Sequence, residues 1–231
     1  MRVTAAPLVA LLLPMLMTQA DPYSAARARM VDTQIAARGV RDPRVLEAMR
    51  TVPRHRFVDP SLAGEAYNDY PLPIGHGQTI SQPFIVAYMV ELLRVKPEHR
   101  VLEVGTGCGY QAAVLGELAR EVYTIEIVEP LARCAKETLA ALGYENVHVR
   151  HGDGYHGWPE QAPFDGIIVA AAPEEVPPAL VEQLAPGGRL VIPVGRDDQE
   201  IRVITRSAEG IVEERLIPVR FVPLVRSPDR R

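Results

Sequence analysis

The sequence predicts an α/β fold: a doubly wound, mostly parallel sheet preceded by an N-terminal helical appendage. Three observations carry that prediction. Short β-branched, apolar runs alternate with segments of helical periodicity from residue 99 onward. Phe164-Asp165-Gly166-Ile167-Ile168-Val169-Ala170 is apolar almost throughout, as a strand buried on both faces of a parallel sheet must be. Val101-Leu102-Glu103-Val104 ends abruptly in Gly105-Thr106-Gly107-Cys108-Gly109-Tyr110, and Ala112, Ala113, Val114, Leu115 and Leu118 resume at helical spacing. The glycines therefore form a strand-to-helix turn, a place where backbone can approach a ligand closely and present N–H groups to it.

The chain in order supports this class. Residues 1–20 read as a signal-peptide-like segment: Arg2, an apolar run from Ala5 to Met17, and Thr18-Gln19-Ala20 resembling a small-residue cleavage site. The run is too short for a comfortable transmembrane helix, and Pro7 and Pro14 argue against a core helix. Its alternatives are a disordered extension or a start placed too far upstream. Residues 21–231 read as one domain, in which 21–98 supplies helices and a long loop and 99–231 the sheet. Met30, Val31, Gln34 and Ile35 share one helical side, with Gly39 as the stop. Asp42-Pro43 caps a second helix that Val52-Pro53 ends. Residues 59–82 are rich in Gly, Pro, Asn and Tyr without periodicity, a long loop of the kind that carries function. Pro83 then opens a third helix.

Beyond the glycine turn, strands are expected over 122–127, 147–150, 164–170, 189–194 and 201–204, with a last apolar segment over 216–225. A helix is expected over 130–142, stopped by Gly143, and another through Leu180, Val181 and Leu184, closed by Pro186-Gly187-Gly188. The late strands, joined by short polar turns, read as antiparallel.

Composition narrows the function. A chain of 231 residues with net charge −4 has no global electrostatic reason to bind nucleic acid. Its two cysteines, Cys108 and Cys134, form neither a disulfide framework nor a C-x-x-C pair, and its six histidines show no H-x-x-x-H spacing, so no metal is expected. A dinucleotide fingerprint would need its third glycine at Tyr110. The pattern is instead E-x-G-x-G-x-G, from Glu103 through Gly105, Gly107 and Gly109, which resembles motif I of S-adenosylmethionine-dependent methyltransferases. Ligands of such sheets bind beyond the strand carboxyl ends. Glu126 lies 21 positions past Gly105, close to the offset of an acid that holds ribose hydroxyls; the bland alternative is a solvent-facing strand-end carboxylate. Asp153, followed by Gly154, either accepts from an adenine amino group or makes an Asx-turn. Asp165 reads as a strand-start acid, and Cys108 as a backbone contact to the cofactor and not a catalytic thiol.

A fuller resemblance runs in order over roughly residues 25–225. Val52-Pro53-Arg54, Leu72-Pro73-Ile74-Gly75, Gly77-Gln78-Thr79-Ile80-Ser81-Gln82-Pro83, residues 101–110 and His151-Gly152-Asp153-Gly154 resemble the protein-L-isoaspartate O-methyltransferases. So do Gly187-Gly188 and Phe221-Val222-Pro223-Leu224-Val225, while Cys108 stands where that family more often has serine. The resemblance implies a Rossmann-like methyltransferase fold, S-adenosylmethionine as cofactor, and L-isoaspartyl (more weakly D-aspartyl) residues of damaged proteins and peptides as substrate. The methyl ester formed would collapse to a succinimide, initiating repair. It further implies Ser81 as the active-site serine, Thr79 and Ile80 as cofactor-lining, and Glu103, Gly105, Gly107, Gly109, Glu126, Ile127, Asp153 and Gly154 as cofactor-binding. Read without the resemblance, Ser81 is either a loop hydroxyl that orients the acceptor carboxylate or a cap of the following helix, two compatible readings. The family and its cofactor supply imply a cytoplasmic enzyme; export to the periplasm through residues 1–20 is the alternative. Competing readings are transfer to a small molecule or RNA, and a non-catalytic nucleotide-binding module. Ala170-Ala171-Ala172-Pro173 after the fourth strand offers no grip on an amine acceptor.

Overall fold

The computed structural model describes residues 21–226, so the signal-like segment 1–20 lies outside the described residues. The first helix, α1 (Ser24–Met30), runs into a π-helical turn (Val31–Ile35) and a 3-10 turn (Ala36–Arg38) before Gly39, at φ +101°, ends it. Helix α2 (Pro43–Thr51) starts where the Asp42 side chain accepts from the Arg44 N–H, with proline in the first turn.

The stretch expected as an unpatterned loop holds more structure than its composition indicates. After a 3-10 turn at Arg54–Phe57, residues 59–82 hold a second 3-10 turn, Pro60–Glu65, and a hairpin of β1 (Leu72–Gly75) and β2 (Gln78–Ile80). His76 and Gly77 take φ +53° and +70° at its tip, the backbone a tight two-residue hairpin demands. Prolines 71 and 73 hide the alternation, but paired Leu72 and Ile80 are both buried and anchor the hairpin. Helix α3 (Pro83–Leu93) follows, apolar nearly all round because it is buried on more than one side.

The remaining elements are β3 (Arg100–Val104), α4 (Tyr110–Gly116), β4 (Glu121–Glu126), α5 (Glu129–Ala141), β5 (Val147–His151), β6 (Phe164–Val169), α6 (Pro178–Glu182), β7 (Leu184–Val194), β8 (Gln199–Ser207) and β9 (Gly210–Val219). They form a seven-stranded sheet in the order β5-β4-β3-β6-β7-β8-β9. Pairings from β5 to β7 are parallel, and β8 and β9 add antiparallel. The strand order reverses between β3 and β6, which creates a crevice at their carboxyl ends.

One expected boundary is corrected. Leu184 and Pro186-Gly187-Gly188 do not extend and close a helix; they lie inside β7. The pairing of β6 with β7 slips between Phe164↔Leu184 and Gly166↔Arg189, so these residues form a bulge. A Cβ on Gly188 would sit 2.9 Å from the Ala185 carbonyl oxygen and 3.1 Å from that of Phe164. Close strand approach, a tertiary demand, overrides the local stop signal.

Alternation along the strands separates two cores. Leu102, Val104, Ile167, Val169, Leu190 and Ile192 face α6, whereas Val101, Ile168 and Val191 face the other side. The N-terminal helices join that second core: Met30, Ile35 and Met49 are wholly buried in the same cluster as Ala112 and Val114. Among the described residues, no helix is long and apolar enough to cross a membrane, and no three His, Cys, Asp or Glu gather as a metal would need.

Candidate active site

The crevice at the strand reversal opens into a pocket lined from the glycine turn, the end of β4, the loop before α3 and the C-terminal segment, the place where ligands of such sheets bind. Its floor is the glycine turn. Gly105, Gly107 and Gly109 adopt φ +93°, +53° and +91°, which L side chains rarely tolerate. The turn is tied to the next strand: the Gly105 N–H donates to the Ile125 carbonyl at 2.8 Å, and the Gly107 N–H to Glu126 Oε2 at 2.8 Å. The Gly107 donor expected to face a ligand is thus engaged within the protein. Glu126 Oε1 accepts from the Val128 N–H at 2.9 Å, so this carboxylate is clamped at the pocket wall with one further lone pair open on each oxygen.

Glu103 lies beneath the turn, wholly buried and outside the pocket lining. Burial pushes its carboxyl up to about 8, against the lowering effect of the Thr124 hydroxyl, which donates to Oε2 at 2.5 Å. Thr124 Oγ1 lies 2.6 Å from Thr106 Oγ1, which extends the chain of hydrogen bonds to the turn. Gln111, which lines the pocket, is a second side chain that lowers the Glu103 carboxyl by hydrogen bonding.

Of the residues singled out from sequence, Thr79, Ile80, Ser81, Gly105, Gly107, Glu126, Ile127 and Gly154 line this one cavity. Glu103, Gly109 and Asp153 do not. Gly109 packs against α5, where a Cβ would meet Leu139 at 3.1 Å. Asp153 makes the Asx-turn, its side chain accepting from the Tyr155 N–H at 2.9 Å. Gly154 admits no side chain, because a Cβ would fall 2.2 Å from Val104 Cγ1. Asp165 sits at the opposite end of the sheet, accepting from the Arg100 N–H at 2.8 Å.

Ser81 is not a helix cap. The N-cap of α3 is Gln82, and the Ser81 hydroxyl makes no hydrogen bond among the described residues. Ser81 and Thr79 also line a second cavity, with Arg38, Phe84, Ile85, Ile217 and Phe221, that shares Ala170 and Val222 with the first. The residue therefore stands where two adjoining cavities meet. Cys108 is half-buried at the pocket wall, and burial pushes its thiol up to about 11, so it is no nucleophile at neutral pH. Among the pocket-lining residues Glu126 is the single carboxylate, and none is histidine, lysine or arginine.

Residues 222–225 and Ala170-Ala171 complete the lining, without having been assigned a place there by sequence. Ala172 holds the former segment: its N–H donates to the Val222 carbonyl and its carbonyl accepts from the Leu224 N–H, both at 2.8 Å. The position of Ala170 just beyond β6, at the strand reversal, was a usable signal. The C-terminal segment gave none, since its return to β6 depends on the sheet order.

The family model of protein-L-isoaspartate(D-aspartate) O-methyltransferase matches residues 25–229. The chain belongs to this family. It is 60% identical over 199 residues to a protein-L-isoaspartate O-methyltransferase of Gloeobacter violaceus, covering 85% of this chain and 97% of the relative. A relative of the same name from a Synechococcus species is 57% identical over 213 residues, covering 89% and 87%. Among solved structures, one named protein-L-isoaspartate O-methyltransferase superposes with TM-score 0.78 at 29% identity, over 85% of this chain and 65% of that one. A Plasmodium falciparum structure named for the same activity, in complex with S-adenosyl-L-homocysteine, superposes with TM-score 0.77 at 29% identity, over 87% and 99%.

Proposed function

We propose that this chain transfers a methyl group from S-adenosylmethionine to the free carboxylate of L-isoaspartyl and, more weakly, D-aspartyl residues in damaged proteins and peptides. The observation that carries the reading is the unengaged Ser81 hydroxyl where two adjoining cavities meet, one lined by the glycine turn. The pocket fits the cofactor. Glu126 offers lone pairs for vicinal hydroxyls, and the Gln111 side chain at the pocket wall is suited to a polar amino-acid end. Thr79, Ile80, Gly105, Gly107, Ile127 and Gly154 would shape its walls.

When bound, the cofactor supplies a methyl group already activated by the sulfonium. The protein's own task is then small. A carboxylate with a pKa near 4 is ionised at pH 7, so the acceptor needs no general base, in keeping with a lining free of histidine and lysine. Holding acceptor and donor in line supplies about 7–11 kcal/mol. Ser81 contributes one hydrogen bond to this alignment, donating from its hydroxyl to one acceptor oxygen and leaving the other to attack. Once the ester has formed, attack by the neighbouring backbone nitrogen expels methanol and gives the succinimide, without further need of the enzyme.

Radiolabelled methyl transfer to an isoaspartyl peptide, against its aspartyl twin, tests the reading. Label on the isoaspartyl peptide alone is expected; label on neither would overturn it. The proposal includes a cytoplasmic location, where the methyl donor is made. Fractionation with N-terminal sequencing should find an intact Met1 in the cytosol, and a processed chain in the periplasm would replace this with export.

A further inference from the structure

The mechanism above leaves Arg54 without a part. Its side chain is wholly buried, yet it forms no ion pair among the described residues. Burying a cation without a carboxylate is expensive, and an apolar side chain would fill the same space at lower cost. What the guanidinium does have is two backbone carbonyls. Its Nε donates to the Ala66 carbonyl at 2.6 Å and its Nη2 to the Ser81 carbonyl at 2.8 Å. These two donors form one edge of the guanidinium fork, a planar arrangement that a lysine ammonium does not provide. The guanidinium carbon also lies 4.8 Å from the centroid of the Tyr110 ring, which opens the helix after the glycine turn.

The Ser81 carbonyl needs such a donor. It precedes Gln82, the N-cap of α3, whose own carbonyl accepts the first helical bond from the Val86 N–H. Ser81 thus stands outside the helical ladder, and Pro83 has no N–H to offer. Without Arg54, the residue that presents the hydroxyl to the pocket would lose the bond that fixes its main chain.

We propose that Arg54 is the positioning residue for Ser81: its fork clamps the carbonyls of Ala66 and Ser81 while its face rests on Tyr110, locking the acceptor loop to the turn that holds the methyl donor. The inference rests on the reading of Ser81 given under the proposed function. It assigns Arg54 no contact with either substrate; the residue acts through the loop.

A double-mutant cycle on kcat separates this from a merely structural role. Arg54→Met, made in the wild-type chain, should lower kcat on an isoaspartyl peptide by about tenfold, the range expected when the misplaced Ser81 hydroxyl loses its hydrogen bond to the substrate carboxylate. Made in Ser81→Ala, where no hydroxyl remains to misplace, the same change should lower kcat by less than about twofold. Calorimetric binding of S-adenosylhomocysteine should stay within about threefold throughout, since the cofactor pocket does not include Arg54. Arg54→Lys keeps the charge and the stem but loses the fork, so it should not restore kcat; full activity in that variant would overturn the proposal. Equal losses from Arg54→Met with and without Ser81 would also overturn it. If Arg54→Met does not fold, the cycle is run with Arg54→Lys. The wild-type chain is assayed first: no label on the isoaspartyl peptide defeats the proposed function, whereas label with an additive cycle defeats this inference alone.

Discussion

On one side of the pocket, formed by residues 104–108 and Glu126, many bonds tie the turn to β4, through main chain and through the Glu126 carboxylate. Gly105 and Thr106 donate to Ile125, Gly107 to Glu126, and Gly109 to Thr106. On the other side, formed by residues 78–81, the hairpin β1–β2 is a two-stranded outlier, and Ser81 is tied by one side chain, Arg54. The first wall is part of the seven-stranded sheet and inherits its rigidity. The second is a loop held from beneath. A donor used in every turnover needs a fixed cradle, while an acceptor that arrives on many different peptides needs a wall that a few side chains set. The contrast predicts that damage to the first wall appears as lost cofactor binding, and damage to the second as lost turnover.

The largest effect should come from Gly105→Val. A β-branched residue at φ +93° carries up to about 3 kcal/mol of strain, so S-adenosylhomocysteine should bind about a hundredfold more weakly by calorimetry. Near-normal binding would mean that the turn is more adaptable than its bonds indicate. Next in size is Ser81→Ala, expected to lower kcat by about ten- to a hundredfold from the loss of one hydrogen bond to a charged group. Its cofactor affinity should remain within about twofold. A drop in affinity with kcat intact would erase the distinction between the walls.

A smaller effect lies under the first wall and appears in stability. Glu103 keeps its proton up to about 8 in the folded state, against an ordinary value of 4.5. Between those values the folded protein holds a proton that the unfolded chain has released. Stability therefore falls as pH rises through this window, by about 1.4 kcal/mol per pH unit from this group, and levels off above it. Glu103→Gln should remove that slope in urea unfolding followed from about pH 5 to about pH 9; an unchanged slope would assign the proton elsewhere. The smallest effect is expected from Cys108→Ser, with kcat within about twofold of wild type, because a thiol raised to about 11 takes no part as a thiolate.

Much of the fold could be read in advance because local chemistry and tertiary demand agree. Strand β6 is apolar at both faces and is buried at both faces. Asp42-Pro43 and Gly39 cap helices where capping residues were expected. The misreadings fall where the two disagree. Pro186-Gly187-Gly188 carries a helix-stop signal but serves a bulge, where the carbonyls of Ala185 in β7 and of Phe164 and Asp165 in β6 leave no room for a Cβ at 188. The loop before α3 conceals a hairpin because its prolines interrupt the alternation.

The candidate site divides in the same way. The positive-φ turn, the acid near the expected offset and the loop ending in Ser81 were all identifiable from residue type and spacing, because each depends on neighbours in sequence. Three features were not: that Glu126 is clamped by Gly107, that residues 222–225 close the pocket, and that Arg54 reaches Ser81. The sequence by itself determined the fold class, the cofactor turn and the family, because backbone conformation and binary patterning are local. Only the tertiary structure decided which polar groups are already partnered and which remain open to a ligand. That accounting depends on contacts between residues such as Arg54 and Ser81, 27 positions apart, which no local pattern encodes.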